Sequence, residues 1–190
     1  MYQRSNSIIG DFYVCDSETL DSIHSTFSMH MYGSELWNLT SGYVDKFKIA
    51  WRKVKRRIWK LNHLTHNSIV HNLSSDFNIL LENRILKFTH NALRHNILCK
   101  NILQVILRCK NSCFADNYRF LSHKYNLCDS DWNKDITFLM GKVKMKQIIL
   151  YPPSPEASIV SELCSLRDKS SYGLLSYGEI TLLIDDLCVH

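Results

Sequence analysis

The sequence predicts a mainly α-helical protein, an irregular helical bundle in which a Pro-rich linker precedes two C-terminal helices. Apolar residues recur at spacings of three and four over several long segments, which is the pattern of amphipathic helices. No pair of alternating segments joined by a short Gly or Asn turn, the signal of a β-hairpin, is found. Three prolines within residues 151–155 interrupt the helical pattern and predict an extended connection.

The first half of the chain predicts four helices and one shorter helical segment. A helix over residues 17–30 is indicated by Asp16 or Ser17 as its N-cap. A long basic helix is expected over 43–61, after a break at Ser41 and Gly42. Residues 63–73 predict one or two helical turns. Two further helices are expected, one starting at Phe77 after a cap in 74–76 and one over 97–108.

The second half is less regular. Periodicity fades over residues 111–133, where 129–131 is typical of a turn. A helix is expected over 136–150. Ser154 as N-cap with Pro155 in the first turn predicts a helix after the prolines, and Ser176 with Glu179 forms a capping box for the last helix. We therefore expect a helical domain over 1–150, followed by a linker and helical tail over 151–190.

The positive charge of the chain is concentrated in one segment. The net charge is +5, yet residues 1–45 sum to −5 and residues 46–60 to +8, with no carboxylate in the second segment. A localised block of cations favours a polyanion as partner over a generally adhesive surface.

Cysteine usage and hydropathy indicate the cellular setting. The seven cysteines are irregularly spaced and no hydrophobic leader starts the chain, so we expect free thiols and an intracellular protein, nuclear or cytoplasmic. No segment approaches the roughly 18 apolar residues of a membrane span, so no membrane partner is expected.

The predicted basic helix has two unlike faces. Its apolar stripe should be buried and consists of Val44, Phe47, Trp51, Val54, Ile58 and Leu61. The opposite face carries eight cations, and six phosphate contacts would give a slope of log affinity against log salt of roughly −5. Trp59 lies on the polar side, where its ring could stack on a base or sugar. The alternative is that Trp59 packs under a neighbouring segment and the charges are merely solvated. The candidate contacts on this helix are Lys48, Arg52, Lys53, Lys55, Arg56, Arg57, Trp59 and Lys60.

Two further groups of residues have side chains of the kinds that bind metals or act in catalysis. Cys109, Cys113, His123 and Cys128 follow the residue order of a zinc knuckle, but their spacing departs from it, and buried thiols are the favoured interpretation. Asp185 and Asp186 resemble a polymerase carboxylate pair only in sequence, because they follow a helix cap; solvated helix-end carboxylates fit better. No Gly-rich phosphate loop, nucleophile elbow or paired acid and base is present, so we expect no catalytic residues, metal or cofactor.

A set of motifs resembles the region just after the palm in reverse transcriptases of LINE-type, non-LTR retrotransposons. The similarity is strongest over residues 32–66 and extends weakly to the end of the chain. Its motifs are Tyr-Gly-Ser-Glu-Leu-Trp at 32–37, Ala-Trp-Arg-Lys at 50–53, Arg-Arg-Ile-Trp at 56–59 and Thr-His at 65–66.

The resemblance implies a helical thumb that grips the template–primer duplex. Carried over by residue, it implies nucleic-acid contacts at Arg52, Lys53, Arg56, Arg57 and His66, with Trp37 and Trp51 as packing anchors. The fingers and palm, with their metal-binding carboxylates, should precede Tyr2. Their absence implies a non-catalytic fragment or decayed remnant of an RNA-directed DNA polymerase.

Three functions follow as hypotheses. The first is a thumb-like domain that binds RNA, DNA or their hybrid through the basic helix. The second is a helical protein-interaction module whose basic helix docks on an acidic surface, such as residues 1–45 of the same chain. The third is a non-functional transposon relic, whose apolar stripe would be left exposed without the missing palm.

Overall fold

The helical class is confirmed. A computed structural model describes residues 2–27, 33–74, 76–95, 97–109, 112–169 and 176–189, without the side chains of 2–4, 95 and 189. Over these ranges the chain is mainly helical and has no strand. The α-helices are α1 (Tyr2–Asp11), α2 (Ser17–Phe27), α3 (Gly42–Ile58), α4 (Asn67–Leu73), α5 (Phe77–His95), α6 (Ile97–Arg108), α7 (Cys113–Tyr125), α8 (Asp129–Trp132), α9 (Ile136–Leu150), α10 (Pro155–Asp168) and α11 (Tyr177–Val189).

Side-chain caps fix several helix starts where the sequence predicts them. The Asp16 carboxylate accepts a hydrogen bond from the backbone N–H of Thr19 at 2.8 Å, at the start of α2. The Ser154 hydroxyl accepts one from Ala157 at 3.4 Å, with Pro155 in the first turn of α10. At α11, Glu179 accepts the backbone N–H of Ser176, which is the predicted capping box. These local signals place the helices that follow them.

The sequence-based predictions and the structure are not the same everywhere. The predicted helix over 17–30 is observed to Phe27, and 28–30 lie outside the described residues. The segment 111–133, where periodicity fades, contains α7 and the short α8 in place of the expected turn. Both ends of α7 are capped, by the Ser112 hydroxyl and by Asn126 in the left-handed conformation, and its residues Phe114, Leu121 and Tyr125 are buried. Burial therefore stabilises a helix whose hydrophobic pattern is weak. No prediction covers α1.

The chain forms two compact units. The first consists of Met1–His30, Lys46–Asp76 and Pro153–His190. Within it α10 packs against α2, α4 and α11, and α1 packs against α2. Its buried core contains residues from five helices and the turn after α3, namely Leu20, Val54, Ile58, Trp59, Ile69, Ala157, Val160, Cys164, Ile180, Ile184 and Cys188.

The second unit consists of Met31–Asp45 and Phe77–Pro152. Its α5 packs against α6, α7, α9 and a 3₁₀ turn at Ser34–Leu36. A polar network crosses its interior: the buried Glu82 carboxylate accepts hydrogen bonds from the Tyr125 hydroxyl and, at 2.8 Å, from the Lys124 ammonium. Every charge in this network has a partner, so it stabilises the packing of α5 on α7.

This division corrects the predicted boundary between 1–150 and 151–190. Residues 153–190 are not a tail, because Ala157, Val160, Cys164, Ile180 and Ile184 fill the core of the first unit together with α3. The prolines mark a change of unit and not the end of a domain. None of the described helices has both the length and the hydropathy needed to cross a lipid bilayer.

Candidate nucleic-acid interface

Helix α3 buries most of its predicted apolar stripe. Trp51, Val54 and Ile58 are each at most 1% exposed and lie in the first unit. Phe47 is the exception, since it is 38% exposed. The stripe is covered by the chain's own helices, so the expectation that it would be exposed without a palm is wrong.

Lys55 does not lie on the solvent-exposed side of α3, contrary to the sequence-based prediction. Its side chain is 0% exposed, and its ammonium lies 2.5 Å from Oδ1 of Asp21 and 2.9 Å from the Ser25 hydroxyl, both on α2. The ammonium also lies 4.1 Å from the centre of the Trp51 ring. Burial lowers the pKa of Lys55, although Asp21 opposes that shift. Lys55 therefore holds α2 against α3 and is unavailable to a ligand.

Trp59 is likewise buried, which excludes the predicted stacking on a base. The helix ends at Ile58, and Lys60 takes a left-handed conformation with φ 51°. The Leu61 N–H then donates to the Arg56 carbonyl at 2.8 Å, as in a Schellman turn. This turn carries Trp59 into the core, where α10 covers it and Arg167 donates to its carbonyl at 2.6 Å.

Two further cations of the predicted face lie against carboxylates of the same chain. The Lys60 ammonium is 2.9 Å from Oδ1 of Asp168. A guanidinium nitrogen of Arg52 is 3.9 Å from the buried Asp76, which also contacts His71 at 2.9 Å. With Lys55, at least three of the eight cations lie against carboxylates of the described residues. The prediction of a cationic face without opposing carboxylates is therefore only partly correct.

The remaining cations form a smaller outward surface. Lys53 is exposed and has no ion-pair or hydrogen-bond partner among the described residues. Arg57 is exposed and donates to the Asn6 side chain at 2.5 Å. Lys46 is exposed and Lys48 half-buried. At 3.6 residues per turn, Lys46, Lys53 and Arg57 lie within about 40° of one another and span about 16 Å along the axis. We call these three residues the outer face.

Arg56 connects the outer face to the following loop. Its guanidinium donates to the Thr65 carbonyl at 2.8 Å and to the Asn67 side chain at 2.8 Å. Burial, and then the neighbouring Arg52, lower the pKa of Arg56. Because arginine stays protonated at neutral pH, Arg56 keeps its charge while it fixes the loop.

A groove opens beside this face. It has a volume of about 370 Å³ and is lined by Lys53, Arg56, Arg57, Leu61 and His63. We call it the basic groove. The methylene stems of the long cationic side chains and Leu61 can cover the flat face of a base or sugar, while the charged groups remain at the rim. His63 was not among the predicted contacts; its only sequence signal is its position just after the basic helix.

His66 has a structural role that the resemblance did not imply. Its side chain is exposed and caps α4, where Nδ1 lies 2.8 Å from the Ser68 hydroxyl and accepts from the Ser68 backbone N–H at 3.3 Å. Its own backbone N–H donates to the Cys188 carbonyl at 3.2 Å. His66 does not line the basic groove, whose lining residues end at His63.

The metal and carboxylate candidates do not form a site. Within the described ranges, no three His, Cys, Asp or Glu side chains are grouped so that they could hold a metal ion. Cys109, Cys113 and Cys128 are exposed, so the interpretation of this set as buried thiols is wrong for these three. Asp185 and Asp186 lie within α11, half-buried and exposed respectively.

Comparisons with protein-family models, with curated proteins and with solved structures give no match to this chain.

Proposed function

We propose that this chain is a thumb-like, non-catalytic helical protein that binds a template–primer nucleic acid, RNA, DNA or their hybrid, through the outer face and the basic groove. The observation that carries the proposal is the alignment of Lys46, Lys53 and Arg57 along one exposed side of α3. The resemblance over residues 32–66 to LINE-type reverse transcriptases supplies the class of nucleic acid.

The geometry suits contacts to one phosphate backbone. Along the axis of B-form DNA the phosphates of one strand rise by about 3.4 Å per step, so a face of about 16 Å is as long as four to five steps of the duplex. Lys and Arg at both ends and near the middle can neutralise three phosphates. Lys53 and Arg57 are held on a helix whose other side is buried. Less conformational entropy is therefore lost when these side chains contact phosphates.

A matched pair of charge-reversal variants tests this assignment. We expect Lys53→Glu/Arg57→Glu to bind a fluorescently labelled RNA–DNA hybrid at least about tenfold more weakly than the unmodified chain, in anisotropy titrations. The control Lys100→Glu/Lys144→Glu makes the same change of net charge at exposed lysines of α6 and α9. Equal affinity of the two variants would contradict binding at the outer face.

A second candidate function is a helical protein-interaction module with the basic helix docked on an acidic surface. The specific observation in its favour is that α1 and α2 already contact α3 through the Lys55–Asp21 pair and the Arg57–Asn6 hydrogen bond. Replacing Lys53 and Arg57 by Ala separates the two functions, because both side chains are exposed and neither pairs with a carboxylate among the described residues. Docking within the chain predicts lost stability, whereas nucleic-acid binding predicts lost affinity with the fold largely retained.

The relic hypothesis is favoured by exposed apolar side chains, among them a group on α6. Helix α6 carries few charges, and four of its apolar side chains are 50–81% exposed, namely Ile97, Leu98, Ile102 and Val105. Such a surface promotes self-association. Concentration-dependent sedimentation of the unmodified chain, compared with Ile102→Gln/Val105→Gln, measures this tendency. A monodisperse chain that binds the hybrid would contradict the relic hypothesis.

A further inference from the structure

The basic groove has the size of a small-molecule site. Its volume of about 370 Å³ falls within the range of ligand pockets, roughly 300–1,000 Å³. A paired duplex presents phosphates and sugars at its surface, whereas the flat faces of its bases are stacked inside it. A duplex can therefore lie along the outer face, but only an unpaired nucleotide can place a base in the groove.

The lining of the groove combines flat and apolar groups with cations. Leu61 is half-buried and supplies an apolar wall, and the exposed His63 supplies an aromatic ring. Unpaired bases stack on histidine rings and on arginine guanidinium planes, which Arg56 and Arg57 supply here. Lys53 adds an ammonium that makes no ion pair or hydrogen bond within the described part of the chain. A base and its phosphate thus have partners in one cavity.

Other classes of ligand fit this lining less well. Among the described residues that line the groove, none is Asp or Glu, so a metal ion or an amine would meet only like charge. A small inorganic anion would leave the apolar wall uncovered. A flat apolar body that carries a negative charge satisfies both parts of the lining, and this is the chemistry of a nucleotide.

Hydrogen bonds hold the loop that forms one wall of the groove. The Leu61 N–H donates to the Arg56 carbonyl at 2.8 Å, and the Arg56 guanidinium donates to the Thr65 carbonyl at 2.8 Å. The Thr65 N–H donates to the Asn62 carbonyl at 3.1 Å. The backbone of His63 therefore lies in a loop fixed on both sides, and less conformational entropy is lost when a ligand binds.

His63 makes no contribution to the fold that would explain its position. Its side chain is exposed and makes no hydrogen bond or ion pair with the described residues. In this it differs from His66, three residues later, whose side chain caps α4. The His63 ring is therefore available to stack on a base.

We propose that the basic groove binds one unpaired nucleotide, at the end of a strand whose duplex part lies on the outer face. This inference rests on the proposed function, because Lys53 and Arg57 belong to both surfaces. The base stacks against His63 and Arg56 beside Leu61, and its phosphate lies near Lys53. The chain therefore prefers a junction of duplex and single strand to a blunt duplex.

Hybrids that differ by a single base test this preference. One labelled RNA–DNA hybrid carries a one-nucleotide overhang, and a second carries an abasic overhang, which keeps the sugar and the phosphate. Each overhang is placed at the 5′ end or at the 3′ end of one strand. In anisotropy titrations of the full chain we expect the base to strengthen binding about five- to tenfold at one of the two ends. Equal affinities for natural and abasic overhangs at both ends would overturn the proposal.

A free nucleotide tests the source of the ligand. Because the strand links the unpaired nucleotide to the duplex, adenosine 5′-monophosphate at about tenfold molar excess should not displace the hybrid with the natural overhang. Displacement at that excess would assign the groove to free nucleotides and overturn the proposal.

An exposed histidine at the groove allows a matched pair of variants. The ratio of the affinities for natural and abasic overhangs, measured within each variant, should fall about threefold in His63→Ala. His123→Ala, at an exposed histidine of α7 in the second unit, is the control and should keep the ratio of the unmodified chain. An unchanged ratio in His63→Ala would overturn the assignment of the base to this groove.

The blunt hybrid separates this inference from the proposed function. If the chain binds the blunt hybrid and Lys53→Glu/Arg57→Glu weakens that binding, equal affinity for natural and abasic overhangs overturns the groove inference alone. If the chain binds none of the hybrids, both proposals are overturned.

Discussion

The ammonium of Lys55 lies 2.5 Å from Oδ1 of Asp21, fully buried between α2 and α3. This pair lies in the middle of the most cationic segment of the chain, yet it faces inward. It shows that a run of lysines and arginines on one helix can serve two purposes, with some charges stabilising the fold and others facing solvent. The number of cations that face solvent, and not the total number on the helix, decides how strongly the protein can bind an anion.

Replacing Lys55 by Met should destabilise the first unit. The substitution leaves Asp21 without its ion pair in a largely buried position, and we expect a loss of about 2–4 kcal/mol in the free energy of unfolding. Urea unfolding followed by circular dichroism measures it. Lys53→Met, two residues away on the exposed side, is the control and should change stability by less than about 0.5 kcal/mol. Similar losses for both variants would show that Lys55 has no special structural role.

Stability should fall on mild acidification because of His24. This side chain is 0% exposed, its Nε2 lies 3.0 Å from the Ser5 hydroxyl, and burial followed by the charge of Lys55 lowers its pKa from 6.5 to about 3. Below about pH 6.5 the unfolded chain takes up a proton on His24 and the folded chain does not, so protonation favours unfolding. The expected loss from this residue is about 2 kcal/mol at pH 5.

Urea unfolding at a series of pH values between about 7.5 and 5 measures this dependence. His24→Gln should flatten the curve over that range, because glutamine can contact Ser5 but does not titrate. His63→Gln, at an exposed histidine of the basic groove, should leave it as steep as in the unmodified chain. If the curve is equally steep in His24→Gln, a group other than His24 causes the loss of stability in acid.

Arg167 should contribute to the stability of the first unit through its hydrogen bonds to the end of α3. Its guanidinium is 2% exposed and donates to the carbonyls of Trp59 at 2.6 Å and Lys60 at 3.1 Å, so it satisfies the C-terminal end of α3. Arg167→Met leaves these acceptors unpaired and should cost about 2–3 kcal/mol by thermal unfolding. Arg108→Met, at an exposed arginine of α6, should have almost no effect. Equal melting temperatures would contradict this capping role.

The sequence predicts best the features that depend on residues close together in the chain, such as helix caps and buried helix positions. The N-cap at Ser154, the capping box of Ser176 with Glu179 and the buried positions Trp51, Val54 and Ile58 all follow from short-range patterns, and the structure confirms them. Each depends on neighbours within one or two turns of helix, so the chain's distant parts need not be known.

Tertiary packing decides the rest of the candidate site. Lys55 lies four residues after Trp51 and three before Ile58, so helical periodicity places it beside the buried stripe, unlike Lys53. Its partner Asp21, 34 residues earlier, could not be recognised from the sequence. The prediction for Trp59 is wrong because the helix does not continue to Leu61: it ends at Ile58, and Lys60 takes the left-handed conformation. The left-handed position after a helix is usually occupied by glycine, but here it is occupied by Lys60. The position of the turn could therefore not be recognised from the sequence.

The salt dependence of hybrid binding tests the central claim that only the outer face of α3 binds phosphates. Binding of a labelled RNA–DNA hybrid to the unmodified chain is measured by anisotropy between about 50 and 200 mM salt. Three contacts, from Lys46, Lys53 and Arg57, predict a slope of log affinity against log salt of about −3, falling to about −1 in Lys53→Glu/Arg57→Glu. A slope near zero, or one near −7 as all eight cations would give, would contradict it.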